Sequence, residues 1–336
     1  MERYFLGNNS GYGFWNDYDE ELKNKDRVAL LKGGPGTGKS TLMKKVAQAV
    51  KKAGCDYELW YCSGDPQSLD GVYIKDTNRA VVDATSPHAS GVDIPVIKDR
   101  IFDLAEGLKP YKLKGVRESV EKLIVDKKQC FVRAYQHLKC ALCHLYNKYE
   151  LERQAVDEVG IRVYAHKIAD VLHRENAENP RERKMFARAI CPSGENAYFD
   201  HLRNARIYLA EGCEYAKKVF FDELSKIAKG CFLLQNPLEP HSYEGVGRGS
   251  VRIVSDAGHF EKDVSEHINL AVFEQKPVNE GVAEEENATE AEIELAVEKL
   301  NAAREAHSKV EEKFVKALDF DFNDKVAKKV IEFLLG

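Results

Sequence analysis

At 336 residues with 43% apolar side chains, the chain is long enough for two separately cored domains. Lys and Arg number 50 against 55 Asp and Glu, a net charge of −5, which excludes a protein drawn to nucleic acid or anionic membrane by global charge. The opening Met1 to Gly7 lacks the basic start and long apolar stretch of a secretory leader, and no later run reaches membrane-spanning length, so a cytoplasmic protein is expected. Eight dispersed cysteines in mostly apolar surroundings are expected to be reduced and buried rather than a disulfide framework.

In chain order, the first strong element is the apolar run Val28-Ala29-Leu30-Leu31, expected as a short buried strand. It leads into Gly33-Gly34-Pro35-Gly36-Thr37-Gly38-Lys39-Ser40-Thr41, which fits G-x-x-x-x-G-K-[ST], and good helix formers follow as far as Val50. Strand, glycine loop and helix in this order form a phosphate cradle. Glycines let successive N–H groups turn toward β- and γ-phosphates, and the helix adds its positive N-terminal end. Lys39 would reach the phosphates as a point charge, and Ser40 would offer its hydroxyl to Mg²⁺. The nearby Asn24-Lys25-Asp26 lacks the spaced aspartate of a guanine-reading N-K-x-D, so a G-protein is not expected.

Beyond the strand Glu58 to Cys62, Asp65 and Asp70 fall at the expected carboxyl end of a parallel sheet, where ligands bind. Both also belong to turn dipeptides, Asp-Pro and Asp-Gly, so a catalytic or acceptor-binding role stands beside plain turn chemistry. Asp83 ends a hydrophobic strand 44 residues after Lys39, where a carboxylate would hold Mg²⁺ through water. His88, five residues further on, is a candidate for contact with the γ-phosphate or an acceptor. From Val116 to about Arg174 the chain reads as helix. Within it Cys140-Ala141-Leu142-Cys143-His144, with His137, could place metal ligands on one face, although packed core cysteines are the stronger expectation.

The chain then repeats itself. Asp65-Pro66-Gln67-Ser68-Leu69-Asp70-Gly71-Val72 aligns with Glu239-Pro240-His241-Ser242-Tyr243-Glu244-Gly245-Val246, matching identically or acid-for-acid at six of eight columns. Arg27 to Leu30 aligns with Arg206 to Leu209, Arg79 to Ala84 with Arg252 to Ala257, and Phe5 and Gly13 with Phe186 and Gly194. Two domains, 1–178 and 179–336, are therefore expected, each ending in helices. Glu284 to Glu286 reads as a solvated linker before the last of these, whose apolar seam runs through Ile293, Ala296, Leu300, Ala303, Val310, Phe314 and Ala317. The second loop, Gly212 to Lys218, lacks the G-K-S and carries Glu211 and Glu214, which would repel a triphosphate, so a nucleotide-free pseudo-domain is expected.

These motifs resemble a bacterial family of duplicated P-loop proteins described as ATPase-like or ATP-binding. The resemblance rests on Phe5-x-Gly7 with Gly13-Phe14, on Gly33 to Thr41, on Cys62-Ser63-x-Asp65-x-x-Ser68-Leu69-Asp70-Gly71-Val72, and on Val82-Asp83-x-Thr85-x-Pro87-His88. It implies an α/β fold of tandem P-loop NTPase-like domains with parallel sheets and helical hairpin additions; many members keep a second P-loop, from which Gly212 to Lys218 departs. Three classes of function fit: an ATPase driving a conformational change, a small-molecule or nucleotide kinase with Asp65 or Asp70 at the acceptor and Arg100 or Arg133 as a lid arginine, and an ATP-dependent scaffold. ATP and Mg²⁺ are the expected ligands, with a protein partner or a small-molecule acceptor beyond them. Neither membrane nor nucleic acid is expected, since no aromatic-basic stacking stretch is present.

Overall fold

The computed structural model describes residues 1–85, 94–175, 181–277 and 281–336. The first half runs β1 (Glu2–Tyr4), β2 (Gly7–Ser10), β3 (Gly13–Asn16), α1 (Tyr18–Leu22), β4 (Arg27–Lys32), α2 (Lys39–Lys52), β5 (Tyr57–Tyr61), β6 (Leu69–Ile74), β7 (Arg79–Asp83), β8 (Asp99–Asp103), α3 (Arg117–Arg153) and α4 (Glu158–His173). The second runs β9 (Arg183–Met185), β10 (Arg188–Cys191), β11 (Gly194–Ala197), β12 (Arg206–Glu211), α5 (Glu214–Ile227), β13 (Phe232–Gln235), β14 (Tyr243–Arg248), β15 (Val251–Val254), β16 (Val264–Asn269), α6 (Gly281–Val315) and α7 (Phe320–Leu335).

The protein is α/β. One six-stranded sheet has the order β1-β5-β6-β7-β4-β8, and the other has β9-β13-β14-β15-β12-β16, the same sequence of equivalent strands. The pairing senses agree as well: β6 and β14 each run antiparallel to both neighbours, and the other pairs are parallel. The sheets are thus mixed, not wholly parallel as the strand–loop–helix reading anticipates. The departure lies in β6, where Asp70 and Gly71 are strand residues instead of a turn. Gly71 is needed there because the Trp60 ring lies 2.5 Å from where a Cβ would stand.

Alternation along β4 explains how the sheets stack. Val28 and Leu30 join Val82, Ile207, Leu209 and Val254 in one core, so the two sheets bury their inner faces against each other. Ala29 and Leu31 point the opposite way, into a core with Leu42 and Met43 of α2. A third, four-stranded sheet, β11-β10-β2-β3, takes one hairpin from each half. Phe5 and Phe186 exchange reciprocal backbone hydrogen bonds of 2.9 Å beside it, and Asn9 pairs with Ile190. Aligned residues meet each other at these points, as at a local two-fold axis. Buried ions tie the same seam: Arg183 donates to Glu58 at 2.8 and 2.9 Å and also contacts Glu21. Burial alone would raise the Glu58 carboxyl, but Arg183 overrides it and holds the group down to about 2.

The helices cross between the halves. α3 and α6 pack along each other, α4 buries Ile161, Ala165 and Leu172 in the core of the second sheet with Phe220 and Phe221 of α5, and α7 buries Val326, Val330 and Leu334 in the core of the first. The repeat boundary near residue 178 is therefore crossed by packing in both directions. The long helical readings break at short turns, where Asp157 caps α4 by accepting from Gly160 N–H at 3.0 Å and Asp319 caps α7 by accepting from Phe322 N–H at 3.2 Å. Ala296, Leu300, Ala303 and Val310 of the seam are buried.

Glu284 to Glu286 are not a linker: they lie in α6, where Glu285 pairs with His144 at 2.7 Å and Glu286 with Lys148 at 2.9 Å. Cys140 and Cys143 are exposed instead of packed in a core, because the buried stripe of α3 runs through Ala134, Leu138, Ala141 and Leu142. His137 pairs with Glu292, and among the described residues no three His, Cys, Asp or Glu side chains gather as a metal site. No described helix is long and apolar enough to cross a membrane.

Candidate functional site

The loop from Gly33 to Thr41 leaves the carboxyl end of β4 and turns directly into α2. Gly33, Gly36 and Gly38 have φ of 138°, 71° and 86°, values that favour glycine and fold the loop onto itself. Thr37, 1% exposed, donates its hydroxyl to Gly34 O at 2.9 Å and fastens the turn. Lys39 Nζ donates to Gly33 O at 2.8 Å and Gly34 O at 3.0 Å, and it stands 3.6 Å from Asp83 Oδ2 at the end of the adjacent strand β7. Asp83 Oδ1 accepts from Thr85 N–H at 2.8 Å, and the Thr85 hydroxyl returns to Gly33 O at 2.8 Å. Ser40 Oγ accepts from Leu69 N–H at 3.0 Å, linking the first turn of α2 to β6. Lys39, Ser40 and Asp83, 44 residues apart at the extremes, thus meet at one end of the sheet, with Gly34 and Pro35 half-buried at the mouth. Thr41 lines a cleft of about 60 Å³ against Leu318, Phe320 and Asn323.

The other sequence candidates do not join this group. Asp70 is 4% exposed and accepts from the Tyr18 hydroxyl at 3.0 Å, a buried contact inside the sheet. Asp65 accepts from Ser68 Oγ at 2.6 Å and from Ser68 N–H through its own carbonyl at 2.8 Å, the hydrogen bonding of a turn. Arg100 lies over the Phe102 ring on the edge strand β8, and Arg133 is exposed on α3. His88 lies outside the described residues.

What sequence reasoning missed comes from the crossing helices. The backbone of α6 covers the loop: a Cβ at Gly36 would come within 2.6 Å of Glu311 O. Asn323 of α7 donates to Thr37 O at 2.8 Å. Arg304 of α6 stands 3.3 Å from Asp65 Oδ1, and His307, one turn further on, has Lys127 of α3 at 3.3 Å from its Nδ1 and Glu311 at 3.7 Å from its Nε2. Burial, with Lys127 and Lys39 nearby, lowers His307 to about 4, so it is neutral at pH 7. Burial raises the Glu311 carboxyl, while the Gly36 N–H and Lys39 pull it back. None of these residues carries a local motif; only their helical spacing on α6 hints that they share a face.

The equivalent loop of the second half is filled by the protein itself. Cys213 N–H donates to Glu274 at 3.0 Å and Tyr215 N–H to Glu152 Oε2 at 2.7 Å, so carboxylates cap the start of α5. Lys217 pairs with Glu214, and Lys218 with Asp222 at 2.8 Å and Glu239 at 3.3 Å. The Asp256 alignment also needs correcting. Gly71 pairs with Val82 and Gly245 with Val254, so the residue in the register of Asp83 is Ser255. Asp256 lies one step beyond and accepts from Gly258 N–H at 2.8 Å in a turn. One extra residue between strand and turn produced the apparent match.

The fold and site define an α/β protein with two sheets of one topology and a glycine-rich loop at the head of one of them. Comparison with family models, curated proteins and solved structures returns no match to this chain.

Proposed function

We propose that this is a P-loop protein of two tandem NTPase-like halves that binds Mg-ATP at residues 33–41 and hydrolyses it to drive a conformational switch. The observation that carries the reading is Lys39, poised between the loop carbonyls and Asp83 at the start of α2. Its two backbone contacts are easily exchanged for phosphate oxygens, which bind a lysine more strongly than neutral carbonyls do. The residues fit the ligand. A Cβ at Gly34 would meet nothing within 4 Å, so the loop backbone is open to close approach there. Ser40 and Asp83 supply the hard oxygen donors that Mg²⁺ takes. When bound, Mg²⁺ would neutralise charge on the phosphate oxygens; Lys39 and the loop N–H groups orient them, and the α2 terminus adds its field. ATP rather than GTP is supported by the resemblance and by Lys25, whose ammonium is taken up by Glu21 at 2.6 Å in a buried pair.

The worn loop supports a nucleotide-free second half, since Glu152 and Glu274 already hold its N–H groups. A kinase reading has less support, because Asp70 is spent on Tyr18 and Asp65 on its turn and Arg304. Equilibrium binding of ATP with Mg²⁺ tests the proposal: one nucleotide per chain is expected, and none or two would overturn it.

A further inference from the structure

Lys127 is a half-buried cation with no carboxylate within 4.0 Å among the described residues; its one polar contact is the neutral His307 ring at 3.3 Å. Burial lowers its pKa, Glu311 raises it in part and Lys39 lowers it. Arg304, on the same face of α6 as His307, is held among the described residues by a partly exposed pair with Asp65 at 3.3 Å. Glu311 stands beside the loop: its main chain touches Gly36, its carboxyl lies 3.7 Å from His307 Nε2, and that carboxyl feels the Gly36 N–H, Asp65, Lys39 and Lys127. A protein carboxylate therefore sits beside the loop, where anionic oxygens of a ligand would be attracted, with Lys127 joined to it through His307 and Arg304 joined to the neighbouring Asp65.

We propose that Lys127 and Arg304 read the terminal phosphate of a nucleoside triphosphate, and that the Glu311 carboxylate occupies the place beside the loop until that phosphate displaces it. This rests on the reading of residues 33–41 as the nucleotide site. The logic is one of charge: a diphosphate anchored by Lys39 and the loop leaves Glu311 in position, whereas a third phosphate cannot share the cations with a carboxylate. Because Lys127 is on α3 and Arg304 and Glu311 are on α6, the exchange alters the contact between the helices that join the halves. Triphosphate binding is thereby coupled to the α3–α6 pair, and diphosphate binding is not.

Calorimetric titration of the full chain with ADP and with a non-hydrolysable ATP analogue, both with Mg²⁺, tests this. Lys127→Met should weaken triphosphate binding about tenfold or more, the worth of a charge-assisted contact, while changing ADP affinity less than about twofold. Lys127→Arg should keep the preference, and Glu311→Gln should tighten the triphosphate several-fold by removing the competing charge. Equal losses of both nucleotides in Lys127→Met, or no tightening in Glu311→Gln, would overturn the proposal while leaving the loop assignment standing. Failure of the unaltered chain to bind either nucleotide would sink the loop assignment itself. Thermal melts of each variant show that the folded protein is being compared.

Discussion

The loops after β4 and β12 occupy the same place in two sheets of the same topology, yet their surroundings carry opposite charge arrangements. After β4, glycines, Lys39 and the α2 terminus face the mouth, with Asp83 alongside. After β12, Glu152 and Glu274 occupy the N–H groups and the lysines are paired. The scaffold tolerates both. What separates the two loops is whether protein carboxylates take the first N–H groups of the following helix, as they do at α5. A carboxylate at such an end adds about 0.3–1 kcal/mol, so the second half gains stability from the interaction that the first half keeps available.

The sharpest way to break the comparison is at the lysines. Lys39→Ala should cut ATP turnover by orders of magnitude, whereas Lys217→Ala should leave it nearly unchanged; a steady-state assay showing equal losses would end the distinction between the loops. Next in size is the carboxylate register. Asp83→Asn should abolish turnover while preserving the fold and weak nucleotide binding, because charge is lost but hydrogen bonding is kept. Asp256→Asn, which alters a turn near the Arg188–Glu244 pair, should cost less than about 1 kcal/mol in urea unfolding and leave turnover intact.

Acid sensitivity separates the halves in a third way. His201 of the second half is 2% exposed, and burial, with Arg252 nearby, lowers it to about 3 from 6.5. The folded protein therefore binds fewer protons than the unfolded chain in this window. Stability attributable to the neutral ring is complete above pH 6.5 and falls as the pH drops toward 3. By about pH 4 the loss should be on the order of a few kcal/mol, and His201→Phe should flatten it in unfolding curves across that range. The smallest effect is expected at the worn loop. Glu152→Gln should destabilise by about 1 kcal/mol without creating a second nucleotide site, and a second bound ATP in that variant would show the loop to be merely blocked.

The loop itself was legible because its chemistry demands fixed residue types at fixed spacing, and Asp83 because strand and loop lengths bring it beside Lys39. The repeat was legible in Asp65 to Val72, where glycine at position 71 answers to the Trp60 ring and recurs as Gly245 against Leu234. Three things were hidden. Amphipathic spacing identifies the buried face of α4 and α7 but not which sheet they will cover, so the crossing went unread. A one-residue difference after β15 placed Asp256 in false register with Asp83. Lys127, Arg304 and Glu311 converge from positions far apart in the chain, and nothing local distinguishes them from charges on a solvated helix.

The crossing of α4 and α7 also sets an order of events during synthesis. The first sheet, with its glycine-rich loop, emerges early, but the outer core that covers α2 includes Val326, Val330 and Leu334. Until the ribosome has released those residues, Leu42 and Met43 lack part of their covering and the Thr37 carbonyl lacks Asn323. Meanwhile α4 is already made, but its sheet has not been. The nascent chain therefore holds two incomplete cores in waiting: the one under α4 closes once the second sheet and α5 are made, and the one over α2 only when α7 docks, a topology that ties completion of the first sheet's outer core to the end of the second half.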